Sequence, residues 1–334
     1  MDALAPGRIA LPSFDDVLDA ARRLAGRAAV TPLLNAPLLD AELGGTLYVK
    51  PEPLQKTGSF KFRGAFNRIS RLSPEERRAG VIAYSSGNHA QGVAAAARAV
   101  GCPATVVMPK DAPPLKIART KAFGADVVLY DRYKDSRETI ADALQREKKS
   151  VLVKPFDDRY VIAGQGTVGN EIADQCAALG ALPDAVFVPV GGGGLIAGSA
   201  LALRHKMPKT DVFACEPEHY DDTARSLVAG ERVTVDASKP SICDALMSPT
   251  PGEMTFALNR RLLAGGFVVT EAEVRRAMAA AFVHFKLVVE PGGAVGLAAL
   301  LAGRYALRGK TAVVVCSGGN ADPALFADVI RNAA

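Results

Sequence analysis

The stretch Val186-Phe187-Val188-Pro189-Val190-Gly191-Gly192-Gly193-Gly194-Leu195-Ile196-Ala197-Gly198 reads as a strand, a tight turn and the start of a helix. Four consecutive glycines carry a conformational-entropy cost that is tolerated where bare backbone N–H groups must close around an anion at a helix N-terminus. One or two would suffice to let a helix pack closely on a strand. The run therefore predicts a phosphate site. No Gly-Lys-Ser/Thr ending follows, which disfavours a nucleoside-triphosphate loop. Gly192-x-Gly194-x-x-Ala197 also satisfies the dinucleotide fingerprint, and Glu216 ends the next predicted strand about where a ribose-binding acid belongs, so a nicotinamide (NAD) dehydrogenase stays open at this point.

Outward from this segment, short β-branched runs alternate with Ala/Leu-rich stretches of helical period. Strands are predicted at 81–84, 104–108, 126–130, 151–154, 185–190, 212–215 and 312–316. Helices are predicted at 90–100, 115–123, 136–147, 161–179, 195–206, 251–264 and 271–285. Strand–helix alternation gives parallel sheets covered by helices on both faces, an α/β fold, here in two interleaved lobes. Thr270-x-x-Glu273 is a capping box, and the helix behind it carries Val274, Met278, Ala281, Phe282 and Phe285 on one side as core.

The 334 residues are 49% apolar and 22% charged, enough for a sizeable core. The net charge of +5 is small and the basic residues are scattered, so nucleic acid is not an expected partner. No stretch reaches the roughly 18 apolar residues of a membrane helix, and residues 1–30 lack a signal-peptide pattern. Five cysteines, an odd count without C-x-x-C, fit buried thiols in a cytoplasmic protein.

Three further segments carry chemistry. Thr57-Gly58-Ser59-Phe60-Lys61-Phe62-Arg63-Gly64-Ala65 sets a lysine between two phenylalanines behind a Gly-Ser turn, where Ser59 can cap a helix. Desolvation and the helix dipole both lower the pKa of Lys61 and favour a neutral amine able to form a Schiff base. Ser85-Ser86-Gly87-Asn88-His89-Ala90-Gln91 follows an apolar strand and opens an Ala-rich helix. Its hydroxyls, amide and backbone donors make a cradle for a carboxylate or phenolic oxygen, with His89 a hydrogen-bonding residue rather than a base. Cys316-Ser317-Gly318-Gly319-Asn320 leaves Ser317 at the C-terminal edge of a sheet, where open α/β folds bind ligands.

Taken in order, these four segments resemble the fold-type II pyridoxal-phosphate enzymes, in particular the serine/threonine dehydratase and serine racemase branch, over roughly residues 14–330. The resemblance implies a two-lobed fold like that of the tryptophan synthase β chain. Residues 1–80 and 154–334 would form a large cofactor-binding domain and 81–153 a small mobile one. It implies Lys61 as the Schiff-base lysine and Asn88 at the pyridine 3′-oxygen. Gly191, Gly192, Gly193 and Gly194 would lie around the phosphate, Ser317 at the ring nitrogen, and Ser86 opposite the lysine across the substrate's α-carbon. Ser85, Ser86, Gly87 and His89 fall on its substrate-binding segment. Arg137, in Asp135-Ser136-Arg137-Glu138, matches an arginine that reaches the substrate, though a solvated charge cluster explains it as well. Glu216, the Tyr220 carbonyl and Asp222 match a site for a hard cation, Mg²⁺ or else Mn²⁺ or Ca²⁺; an acidic surface loop is the alternative.

The implied activity is α,β-elimination from a small-molecule β-hydroxy amino acid such as L-threonine or L-serine, giving a 2-oxo acid and ammonia. A neutral Ser317 hydroxyl makes the ring a weaker electron sink than a carboxylate would, which suits elimination. Alternatives are a serine racemase, with Ser86 reprotonating the second face, and a dehydratase of a bulkier substrate such as hydroxyaspartate or phenylserine, admitted by Gly292-Gly293. Family likeness also implies a homodimer. The sequence ends about a dozen residues past Asn320, so isoleucine feedback is not expected.

Overall fold

The computed structural model describes residues 10–131 and 133–332. Ten strands occur among them: β1 (Leu34–Asn35), β2 (Thr46–Pro51), β3 (Val81–Tyr84), β4 (Ala104–Pro109), β5 (Asp126–Tyr130), β6 (Val151–Leu152), β7 (Ala185–Pro189), β8 (Asp211–Pro217), β9 (Gly265–Val269) and β10 (Thr311–Cys316). They build a six-stranded sheet in the order β1-β2-β10-β7-β8-β9 and a four-stranded sheet in the order β5-β4-β3-β6. Only β1 runs antiparallel to its neighbour; every other pairing is parallel. Helices fill the connections between successive parallel strands, the α/β arrangement that the alternation predicts.

The smaller sheet is built entirely from chain lying between β2 and β7, so one α/β unit is inserted into another. Its strands fall within the predicted span 81–153. Of the outer spans, residues 1–9, 333 and 334 lie outside the described residues. Within the larger sheet, β7 and the last five residues of β10 are buried at every position, the continuous apolar run of strands covered on both faces.

The strand order positions the site. β2, β10 and β7 are parallel neighbours, so the chain leaves all three at one edge: β2 toward Lys61, β10 into Ser317, β7 into the glycine run. β3 of the smaller sheet leads into Ser85. The helix Gly194–Lys206 packs so tightly on Arg159–Ala178 that a Cβ on Gly198 would stand 2.1 Å from the Ile162 carbonyl oxygen. The Thr270–Glu273 capping box forms, but Phe282 is 40% exposed, so that helix buries Val274, Met278, Ala281 and Phe285 without it.

Candidate active site

The helix Lys61–Ile69 begins at the lysine itself. Phe60 occupies its cap position, and the buried Ser59 hydroxyl finds no hydrogen-bond partner, contrary to the expected Ser59 cap. The Phe60 ring lies 5.1 Å from the Lys61 Nζ and lines the cavity. Phe62 turns into the core against Phe66, so only one of the two flanking phenylalanines shields the amine. Lys61 Nζ donates to the Pro155 carbonyl at 2.9 Å. Burial pulls the amine down to about 8, opposed by the Glu290 carboxylate.

Two residues further on, Arg63 is fully buried. Its guanidinium forks onto Glu52 through two bonds of 2.8 Å and reaches Glu171 at 2.6 Å, and Lys50 donates to the same Glu171 at 2.7 Å. Two cations and two carboxylates thus balance inside the protein and tie the lysine's helix to β2 and to Arg159–Ala178.

Gly191–Gly194 lie across the cavity, ahead of the helix Gly194–Lys206. Gly193 holds the left-handed conformation with φ +90°, and a Cβ on Gly192 would come within 2.3 Å of the Phe156 ring. The N–H groups of Gly191–Gly194 donate to no acceptor among the described residues. Free donors at a helix N-terminus, in a turn no side chain can enter, fit a phosphate group.

Ser85, Ser86, Gly87, Asn88 and His89 line the same cavity. The Ser85 hydroxyl accepts from the Gly87 N–H at 3.1 Å. The Asn88 amide group donates to Glu290, while its oxygen accepts from Asn320 at 2.8 Å, leaving one amide hydrogen free. His89 Nε2 meets the Val153 carbonyl at 2.8 Å, and burial with the nearby Lys61 charge holds the ring neutral, its pKa driven down to about 3. Its ring is thus a structural contact. Ser317 faces the cavity between the lysine segment and the glycine turn.

Arg137 stands apart in an outer vestibule shared with Ser86 and Phe156. Its guanidinium lies over Tyr84 and is bonded to Glu138 at 2.8 Å. Gly292 and Gly293 do not line the cavity: added Cβ atoms would meet Leu246 and the Gly318 carbonyl, so these glycines serve close packing, and the room expected there for a bulkier substrate is not found. Glu216 is fully buried and accepts from the Thr223 and Ala224 N–H groups at 2.9 and 2.7 Å, capping the helix Asp222–Ala229. Glu216 does not line the cavity of the glycine turn, which removes it as the ribose-binding acid of the dinucleotide reading. Both Asp222 carboxylate oxygens are buried without a partner, and Tyr220 is buried beside them in sequence, its hydroxyl donating to the Lys239 carbonyl at 2.8 Å. No cluster of three or more His, Cys, Asp and Glu side chains suited to a metal occurs among the described residues.

The sequence reading missed several participants. Pro155 and Phe156 contact Lys61 and the glycine turn. Lys116 and Asp244 enter the cavity wall from opposite sides. Glu290, just ahead of Gly292, is a buried acid raised to about 7 by desolvation, and it accepts from the Asn88 amide behind the cavity wall. A partly neutral lysine, a phosphate-shaped turn, a hydroxyl and an amide converge on one cavity, a lining that fits pyridoxal phosphate: Lys61 would hold its aldehyde, Gly191–Gly194 its phosphate, and Asn88 and Ser317 its ring.

Comparison with known proteins agrees. The profile of the family described as pyridoxal-phosphate dependent enzyme matches residues 24–318. An L-threo-3-hydroxyaspartate ammonia-lyase of a Pseudomonas species is 42% identical over 96% of this chain and 99% of its own length. The serine racemase of Schizosaccharomyces pombe is 39% identical over 94% of this chain and 96% of its own length. The crystal structure of a T.th. threonine deaminase superposes with a TM-score of 0.88 at 45% identity, covering 93% of this chain and 99% of that one.

Proposed function

This chain belongs to the pyridoxal-phosphate dependent enzymes, and we propose that it is an ammonia-lyase that converts a β-hydroxy amino acid of the serine, threonine or 3-hydroxyaspartate type to a 2-oxo acid and ammonia. The observation that carries the reading is the Lys61 amine, half-buried, lowered toward neutrality and facing the free N–H groups of Gly191–Gly194 across one cavity. Bound at Lys61, the cofactor supplies an electron sink that weakens the bonds to the substrate's α-carbon.

The chain's own groups do the rest. Lys61, near pKa 8, is neutral often enough at physiological pH to take the α-proton. Phe60, beside the amine, and Phe156 and Leu246, against the glycine turn, give the cavity an apolar wall. The segment from Ser85 to His89 offers hydroxyls and helix-terminal donors to the substrate's carboxylate. Ser317, a neutral hydroxyl, does not hold a proton on a ring nitrogen as a carboxylate does, which favours departure of the β-hydroxyl over longer-lived carbanion chemistry. Loss of water and then hydrolysis take serine to pyruvate and ammonia, and threonine to 2-oxobutanoate and ammonia.

The test is a panel of serine, threonine and 3-hydroxyaspartate enantiomers scored by 2-oxo acid and ammonia release. Release from none of them, by protein that retains pyridoxal phosphate, defeats the reading. Racemisation is the second reading, supported by the Ser86 hydroxyl in the cavity wall; serine racemised faster than pyruvate forms would favour it.

Three finer features complete the proposal. A hard cation at Glu216, the Tyr220 carbonyl and Asp222 is supported by the two unpartnered, buried Asp222 oxygens. A homodimer is supported by exposed Leu54, Leu115, Phe282, Val283 and Val288, and sedimentation at the monomer mass would refute it. Five buried free thiols support a reducing, cytoplasmic setting.

A further inference from the structure

Two cations line the cavity, Lys61 and Lys116, and one acid, Asp244. Lys61 is committed to amine chemistry, so Lys116 is the charge left to explain. It sits on the helix Pro114–Ala122, between β4 and β5 of the smaller sheet, with its side chain only 9% exposed. Its Nζ donates to Asp244 Oδ2 at 2.6 Å. Asp244 belongs to the short turn Asp244–Leu246 that packs on Gly191, and its side chain is 41% exposed. The ammonium also lies across Gly87: a Cβ there would stand 3.3 Å from Nζ. Gly87 caps the helix Asn88–Ala99, so a buried ammonium and the positive end of a helix converge on one point of the cavity wall.

We propose that Lys116 recognises the substrate's α-carboxylate, with Asp244 as the counter-ion that occupies Lys116 until substrate arrives. This rests on the amino-acid lyase reading above. The asymmetry of exposure gives the exchange its direction. Asp244 can turn to water at little cost, whereas Lys116 would be left buried with no hydrogen-bonded acid and only the charges of Glu290 and Asp322 nearby, so Lys116 accepts one carboxylate in place of the other. No bond to hydrogen or carbon changes in this step. The consequence is selectivity for amino acids over the corresponding amides and amines, because a neutral carboxamide cannot replace Asp244.

The test uses holoenzyme and a competitor without an amine, 3-hydroxypropionate, against its neutral partner 3-hydroxypropionamide, each measured as an inhibition constant. Wild-type protein is expected to prefer the acid by more than roughly tenfold, the size of a charge-assisted hydrogen bond. Lys116→Met should remove most of that preference while cofactor affinity and amide binding stay within about twofold, and Lys116→Arg should restore part of it. Asp244→Asn should tighten acid binding, since the resident competitor is gone. A Lys116→Met protein with the wild-type acid-to-amide ratio overturns the proposal, as does equal loss of both ligands. Should that variant not fold, Asp244→Asn decides alone: an unchanged or lower ratio overturns it. Failure of wild-type protein to retain pyridoxal phosphate would instead strike the lyase reading, and is scored separately from the cofactor's absorbance.

Discussion

Lys61 lines the cavity and Glu290 lies behind its wall, bonded to Asn88, and their pKa values move toward each other from opposite ends, the lysine down to about 8 and the acid up to about 7, chiefly through burial. Only the neutral amine can add to an aldehyde, so the rate of cofactor uptake by apoprotein should climb with pH and level off above about 8, followed by absorbance of the bound cofactor. A rate flat across that range would contradict the lowered amine. Lys61→Ala should abolish the borohydride-reducible band altogether. The same shift bears on stability. Between about pH 8 and the ordinary lysine value of 10.5, the unfolded chain holds a proton at position 61 that the folded chain has released, so this group's contribution to stability grows as pH rises through that window. Glu290 has the opposite sense: from the ordinary glutamate value of 4.5 to about 7 the folded state holds the extra proton, and its contribution falls as pH rises. Glu290→Gln should flatten the denaturation profile across that lower window.

At the scale of elements, the glycine turn and the lysine's helix are held by different means. The turn is shaped by what it excludes. Gly192→Val would drive its side chain into the Phe156 ring, so pyridoxal-phosphate affinity should fall by at least about a hundredfold, with a smaller loss for pyridoxal, which has no phosphate to misplace. Equal losses for both ligands would argue that the whole cavity had collapsed. The helix is held by buried charge. Arg63→Met would leave Glu52 and Glu171 without their main partner, and removal of one member of such a cluster costs about 3–5 kcal/mol, measurable by urea denaturation. Replacement of Arg63 at a cost below about 1 kcal/mol would mean that the cluster is solvated. The helix Pro291–Leu301 illustrates a different principle. Pro291 through Leu300 are all buried, so no polar face interrupts the run, and a segment apolar all round gives no 3.6-residue period by which to find it.

Across the whole molecule, the site exists because two sheets meet. Lys61, Ser317 and the glycine turn leave neighbouring strands of one sheet, while Ser85–His89 and Lys116 come from chain associated with the other. We propose that the smaller unit, 81–153, moves as a body on ligand binding, with Lys116–Asp244 one of the contacts remade; a radius of gyration unchanged on adding substrate analogue to holoenzyme would count against it. Chelation followed by Mg²⁺ readdition should lower and then restore the melting temperature through the cation site proposed at Glu216 and Asp222, because a ligand of the folded state stabilises it; a melting temperature that moves in neither step removes that site. Much was legible in the chain alone. β3, β5 and the helix Glu271–Phe285 have the predicted bounds, and Lys61, Ser86, Asn88, Ser317 and Gly191–Gly194 line one cavity, because alternation, caps and glycine runs are local properties that local sequence encodes. Tertiary structure alone decided which phenylalanine shields the amine, that Glu216 caps a helix, that Gly292 and Gly293 pack rather than open the pocket, and that Lys116 meets Asp244. Each of those depends on burial and on contacts between residues far apart in the chain, and desolvation and charge pairing act through space, leaving no periodic trace in the order of residues.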